Sequence, residues 1–321
     1  MNDAKQLNQE LLTAIKQAIP ADTNLVKVIE AALGIGKEAV YRRIRGDVPF
    51  TFDEVVALTL KFGMSLDRFL KIQYQETVVY DLNQISTTQP MEDYYNMLST
   101  EVEMFKEFNR KADSKIYMAY NILPFIFFYS LENLWKFDIY QLLHQVEQEK
   151  KIEDFARVKL PGQLVEKRDE LFEAYRNVPW SCYILDRKIV TALIMEIGYI
   201  NRLGLISTRD IANFKKELHQ LLDTIEVTAT SGKFHGRTPM TLYLSNLDLE
   251  GSYCCYECPE MNFTHLRVYR LGMLNSSTPE IFAAQRGYIE SLKRFSTLIT
   301  KSGELERSVF LLEQRELVDA L

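Results

Sequence analysis

With 321 residues, 47% of them apolar and 26% charged, the chain is long enough for two domains with substantial cores, and its composition excludes bulk disorder. The net charge of −6 is uneven: residues 1–72 hold ten Lys/Arg against nine Asp/Glu, which leaves the remainder at −7. A large acidic part repels a polyanion at long range, so any nucleic-acid contact is expected in the N-terminal segment.

Residues 4–18 place Leu7, Leu11, Leu12 and Ile15 on one helical face, continued by Ile19, and Pro20 closes that helix. Asp22 or Thr23 can cap the next, in which Leu25, Val28, Ile29 and Leu33 recur at helical spacing. Gly34 then stops it, as a residue free to take a positive φ. A third helix is expected from about Lys37 to Arg45, ending at Gly46. Thr51 and Glu54 are spaced as a capping box for the fourth, with Phe50 and Val55 placed as a hydrophobic staple. A short fifth helix is expected from Ser65, with Met64 and Phe69 again at staple spacing.

The run Leu33-Gly34-Ile35-Gly36-Lys37-Glu38-Ala39-Val40-Tyr41-Arg42-Arg43-Ile44-Arg45-Gly46 resembles the helix-turn-helix of the Cro/lambda-repressor-type (XRE-like) regulators. Pro49-Phe50-Thr51-Phe52-Asp53-Glu54 and Phe62-Gly63-Met64-Ser65-Leu66-Asp67 are similar to the family's later segments. The resemblance covers residues 4–70. It implies a five-helix domain whose third helix enters the major groove of double-stranded DNA and reads base edges. Carried over by position, Lys37, Glu38 and Arg42 fall where base-reading side chains lie. Helical spacing independently puts Lys37, Glu38, Tyr41, Arg42 and Arg45 on one face, with Val40 and Ile44 turned to the core. Arg42 can fork onto guanine O6 and N7, and Glu38 can accept from a cytosine amine. Arg43 and Arg45 are assigned to phosphates, as are Thr23 and Asn24 from the start of the second helix.

Residues 73–89 read as a linker, with a short strand expected at 77–80. Beyond it, helices are expected at 91–111, 114–131, 138–150, 161–177, 185–203, 207–230, 279–300 and 304–318. Strands are expected at 241–249, 253–258 and 264–274, joined as an antiparallel meander. The fold class expected from sequence is therefore mainly α. It comprises the five-helix lambda-repressor-like domain at 1–72 and a larger, mostly helical α+β domain with a small meander at 90–321.

Chemistry is sparse. Cys254, Cys255, Cys258 and His265 suggest zinc, but they sit on a strand and lack a second ligand pair, so packing and no metal are expected. The segment 232–237 lacks the order of a phosphate loop and reads as a basic surface loop. The aromatic run Tyr117, Tyr120, Phe125, Phe127, Phe128 and Tyr129 reads as core, with a ligand cavity as the alternative. The apolar stretch 116–131 is broken by Asn121 and Pro124 and is shorter than the ~20 residues of a membrane span. The N-terminus carries no signal-peptide pattern, and four cysteines make no disulfide framework.

No catalytic constellation emerges, and no cofactor or enzyme activity is expected. A cytoplasmic, sequence-specific transcriptional regulator is expected, with no membrane partner. Its C-terminal domain would form a homodimer and offer a place for a small-molecule or peptide effector. The alternative is a helical protein–protein interaction module that does not bind DNA.

Overall fold

Apolar residues at helical spacing build the first unit. The structure, a computed structural model, describes residues 4–19, 23–62, 64, 80–83, 88–146, 154–259, 261–268, 270 and 272–321. The chain divides into two units, 1–79 and 80–321. In the first, α1 (Ala4–Ala18), α2 (Leu25–Leu33), α3 (Lys37–Ile44) and α4 (Phe52–Phe62) enclose one core. Leu11, Leu12, Ile15, Ile29, Val40 and Leu58 are buried together, with Phe50 and Val55 packed against them. Gly34 ends α2 at φ 64° and returns its N–H to the carbonyl of Glu30, a left-handed cap that a side chain would strain. The expected fifth helix, its staple partner Phe69 and residues 77–79 of the expected strand lie outside the described residues.

The second unit corrects the fold class. It holds α5 (Pro90–Asn109), β2 (Lys115–Tyr120), α6 (Glu132–Val146), α7 (Gly162–Tyr175), β3 (Ser181–Leu185), α8 (Thr191–Arg202) and α9 (Thr208–Ser231). Then come β4 (Lys233–Phe234), β5 (Thr238–Ser245), β6 (Tyr253–Glu257), β7 (Phe263–Arg267), β8 (Met273–Ser276), α10 (Pro279–Arg294), β9 (Ser296–Leu298) and α11 (Glu304–Asp319). With β1 (Asp81–Asn83) these strands form one nine-stranded sheet in the order β1-β8-β7-β6-β2-β3-β5-β4, and β9 also pairs with β5. β2, β3 and β5 are parallel, in register Ile116↔Ser181 and Ser181↔Met240, and the other pairings are antiparallel. A mixed sheet with helices on both faces thus replaces the mainly helical domain with a small meander.

The misreading has a local cause. Along β2, Ile116, Met118 and Tyr120 join the core on one face while Tyr117 and Ala119 join the core on the other. A strand buried on both faces loses its alternation and reads as a continuous apolar run, as a buried helix does. The expected helix 114–131 is therefore β2 followed by a 3-10 turn at Phe125–Phe127. β3 occupies 181–185, a stretch assigned no element apart from Leu185 at the start of the expected helix 185–203, whose helical part is α8; the expected helix 279–300 ends at Arg294 before the half-buried β9.

The expected meander is also rearranged. β5 lies beside β3, away from β6, so the meander is β6, β7 and β8, and the expected strand 264–274 is two strands. Within the expected linker, Asp81–Asn83 is an edge strand paired with β8. The expected helix 207–230 is α9. Ser207 and Asp210 cap α9 reciprocally, Asp210 N–H donating to Ser207 Oγ at 3.2 Å and Ser207 N–H to Asp210 Oδ2 at 3.0 Å. Among the described residues no helix is long and apolar enough to cross a membrane.

Candidate nucleic-acid interface

The turn Gly34-Ile35-Gly36 separates α2 from α3, and α3 sorts its side chains by face. Val40 is fully buried and Ile44 packs against the same core, whereas Lys37, Glu38, Tyr41, Arg42 and Arg45 are exposed. This is the partition that the helical spacing predicts. Gly36 occupies the N-cap in an extended conformation without a side-chain hydrogen bond, so the first turn of α3 is held by its backbone alone.

The exposed residues are not equally available. Arg45 donates through Nε to Asp47 Oδ2 at 2.9 Å and lies 3.7 Å from Glu38 Oε1, so part of the local charge is internally balanced. The Lys37 ammonium sits 5.9 Å from the centre of the Tyr41 ring. Among the described residues, neither Lys37 nor Arg42 has a carboxylate partner. Arg42 therefore carries the least compensated charge on the face.

Arg43 is placed elsewhere. Its Nη2 donates to Glu54 Oε1 at 2.6 Å, its Nε to Glu54 Oε2 at 2.9 Å and its Nη1 to the carbonyl of Ala39 at 3.2 Å. Both side chains are largely buried, so Arg43 ties α3 to α4 and is not offered to a phosphate. Glu54 also accepts from Thr51 N–H at 2.9 Å, and its own N–H donates to Thr51 Oγ1 at 3.3 Å, which completes the capping box of α4. Burial pushes the Glu54 carboxyl upward, but the Arg43 and Thr51 hydrogen bonds outweigh it and hold it below the usual carboxylate range.

At the start of α2 the cap is Asn24, not Thr23. Asn24 Oδ1 accepts from Val26 N–H at 3.0 Å and Lys27 N–H at 3.3 Å, while Thr23 is half-buried and Asp22 lies outside the described residues. The sequence reading missed Asn8 altogether. Its buried Nδ2 donates to the carbonyl of Arg43 at 2.8 Å, and Phe50 N–H reaches its Oδ1 at 3.5 Å, so α1 fixes the end of α3. A polar residue within an apolar helical face was the signal.

The other sequence candidates lie in the second unit. Cys254 and Cys255 fall on opposite faces of β6, and the described residues hold no cluster of His, Cys, Asp and Glu suited to a metal. Burial pushes the Cys255 thiol up to about 12 and the His265 imidazole down to about 4, so both stay neutral near pH 7. Residues 233–239 form the tight β4–β5 hairpin with Phe234 buried. Of the aromatic run, Phe128 lines a cavity, described below, and the others pack in the core. No family model, curated protein or solved structure matches the chain.

Proposed function

We propose that the chain is a sequence-specific DNA-binding transcriptional regulator. The carrying observation is the sorting of α3: an exposed face with Lys37, Tyr41 and Arg42, two of them uncompensated cations, on a helix whose opposite face is locked into a core. An α-helix fits the major groove, and a side chain held on a rigid scaffold can read a base edge without first being ordered. Arg42 reads a guanine, Glu38 accepts from a base amine, Lys37 reaches a base edge and Asn24 meets the backbone. Arg45 assists once Asp47 yields it.

A lone helix of this kind reads few base pairs, and two-fold pairing doubles the site, so the regulator acts as a homodimer. The second unit supplies the interface and the effector site. The test is a binding titration on randomised duplexes across a salt series. Affinity should fall steeply with salt, and Arg42→Ala should cost ~1–3 kcal/mol and relax selection at one base position. An Arg42→Ala protein that selects the same sites with the same affinity overturns the recognition-helix assignment.

One observation favours a second reading, a helical module that docks a protein. On α4, Phe52 and Leu60 are 74% and 79% exposed at i and i+8, two large apolar side chains open to solvent. Such docking would survive high salt, whereas DNA binding would not.

A further inference from the structure

β2, β3 and β5 end on the same rim of the sheet, because they run parallel. From β2 the chain proceeds to β3 and then β5, after which β6 returns to the other side of β2. The segments leaving β2 and entering β6 meet where Ser252 Oγ donates to Asn121 Oδ1 at 2.8 Å, and both line a cavity of about 370 Å³. Open sheets containing parallel strands bind ligands at such reversals, outside the carboxyl ends of the strands.

Helix α6 faces the cavity with Leu134, Asp138 and Gln141, spaced i, i+4 and i+7, and Leu123, Phe128 and Leu193 supply apolar wall. Arg270 is clamped there. Its Nη1 donates to Asp138 Oδ1 at 3.0 Å and its Nη2 to Glu196 Oε1 at 2.9 Å. Gln141 Nε2 donates to Glu196 Oε2 at 2.7 Å, which fixes the direction of the amide.

Two acceptors are left over. Asp138 Oδ2 accepts from no described residue and keeps some solvent contact, whereas Gln141 Oε1 is buried without a partner. Both residues are only 8% exposed. An acceptor buried without a donor costs stability until something donates to it. Among the described residues, the ionisable ones in the wall are Arg267 and Arg270 against Asp138, Glu196 and Glu250, a net charge of −1. In a partly enclosed recess that excess attracts a cation and repels an anion. Arg270 also keeps its Nε–H without a partner, a donor suited to a carboxylate or carbonyl on the same ligand.

We propose that this cavity binds a small primary amine with an apolar body, its ammonium donating to Asp138 Oδ2 and Gln141 Oε1 and its hydrocarbon lying against Leu123, Phe128 and Leu193. A simple alkylamine and an apolar α-amino acid share that chemistry. The site goes beyond the DNA-binding reading and does not depend on it.

The test is calorimetry and thermal melting of the full chain with 3-methylbutylamine, leucine and 3-methylbutan-1-ol, the last being uncharged, each at up to about 10 mM. The amine should bind at least about tenfold more tightly than the alcohol, and Asp138→Asn should weaken the amine by a similar factor without changing the alcohol. Leucine tighter than the amine identifies an α-amino acid as the ligand class, and leucine weaker identifies an alkylamine; either supports the site. Equal binding of alcohol and amine, unchanged amine affinity in a folded Asp138→Asn protein, or no binding by any probe overturns the proposal. Should Asp138→Asn fail to fold, Leu193→Trp, which fills the cavity, must abolish amine binding. Retained binding in that variant overturns the site equally.

Discussion

Replacing Glu54 by Gln tests the tie between α3 and α4. In the native protein the carboxylate accepts two hydrogen bonds from Arg43, at 2.6 and 2.9 Å, and one from Thr51 N–H at 2.9 Å. An amide keeps one acceptor oxygen and turns two N–H donors toward a guanidinium, so the charge and at least one hydrogen bond are lost. Hydrogen bonds to a charged group are each worth ~1.5–3 kcal/mol, and three sharing one carboxylate are not additive. The expected loss is about 2–3 kcal/mol at pH 7, reduced from the fully buried case by the remaining solvent contact.

Because the Glu54 carboxyl is held below its unfolded value, its contribution is present above the ordinary carboxylate range and is lost as pH falls through the lowered native value. The difference between the native protein and Glu54→Gln should therefore persist at pH 7 and 5 and shrink at more acid pH. Both tryptophans, Trp135 and Trp180, lie in the second unit, so fluorescence does not report this event. Native-state hydrogen exchange of peptides covering 37–62 does. An opening free energy that changes by less than about 0.5 kcal/mol, or a difference undiminished at acid pH, would refute the reasoning.

Three further outcomes are expected. Glu101 has Oε2 buried without a partner, and burial raises its carboxyl to about 7. A carboxyl raised in the native state favours folding below its unfolded value near 4.5, and that favour is lost as pH climbs through 7. At ~1.4 kcal/mol per pKa unit, Glu101→Gln should thus be more stable than the native protein by up to about 3 kcal/mol at pH 8, and similar to it near pH 4.5, in urea melts followed by tryptophan fluorescence. Asn8→Ala removes a side-chain donor from the Arg43 carbonyl, which keeps Gly46 N–H at 3.0 Å, and should lower protection of the α3–α4 junction in hydrogen exchange by ~0.5–1.5 kcal/mol; unchanged protection there would show the contact is dispensable. Gly303 stands at φ 58°, where an added Cβ would lie 2.4 Å from the carbonyl oxygen of Leu298, so Gly303→Ala should cost ~1–3 kcal/mol in the same urea melts, and a neutral result would place α11 differently.

Legibility in the sequence followed how each element is solvated. The four described N-terminal helices each have one wet face, so their 3.6-residue period survives in the sequence, and Gly34 and the Thr51–Glu54 box mark boundaries. β2 and β3 have no wet face, and nothing in Ile116-Tyr117-Met118-Ala119-Tyr120 separates a strand from a buried helix. The parallel pairing of β2, β3 and β5 depends on contacts between residues more than fifty positions apart, which no local pattern encodes. At the candidate interface, spacing predicted which side chains of α3 face outward. It could not predict that Arg43 would be drawn inward, because its partner lies on the next helix. The polar wall of the cavity was likewise unreadable, since Asp138, Glu196 and Arg270 come from three separated segments.

The position of β2 in the sheet bears on how the protein emerges from a ribosome. β3 follows β2 after about 65 residues, but β6, which covers the other edge of β2, is made roughly 140 residues after it. Throughout that interval a growing chain holds an apolar strand with one edge unpaired, and an unpaired edge invites pairing with another nascent chain. Docking of β6 closes it, and β7 and β8 can then add by short antiparallel connections. The slow stage of folding in the second unit should accordingly be the arrival of β6, and a chain stalled before residue 253 should be held soluble only by a chaperone.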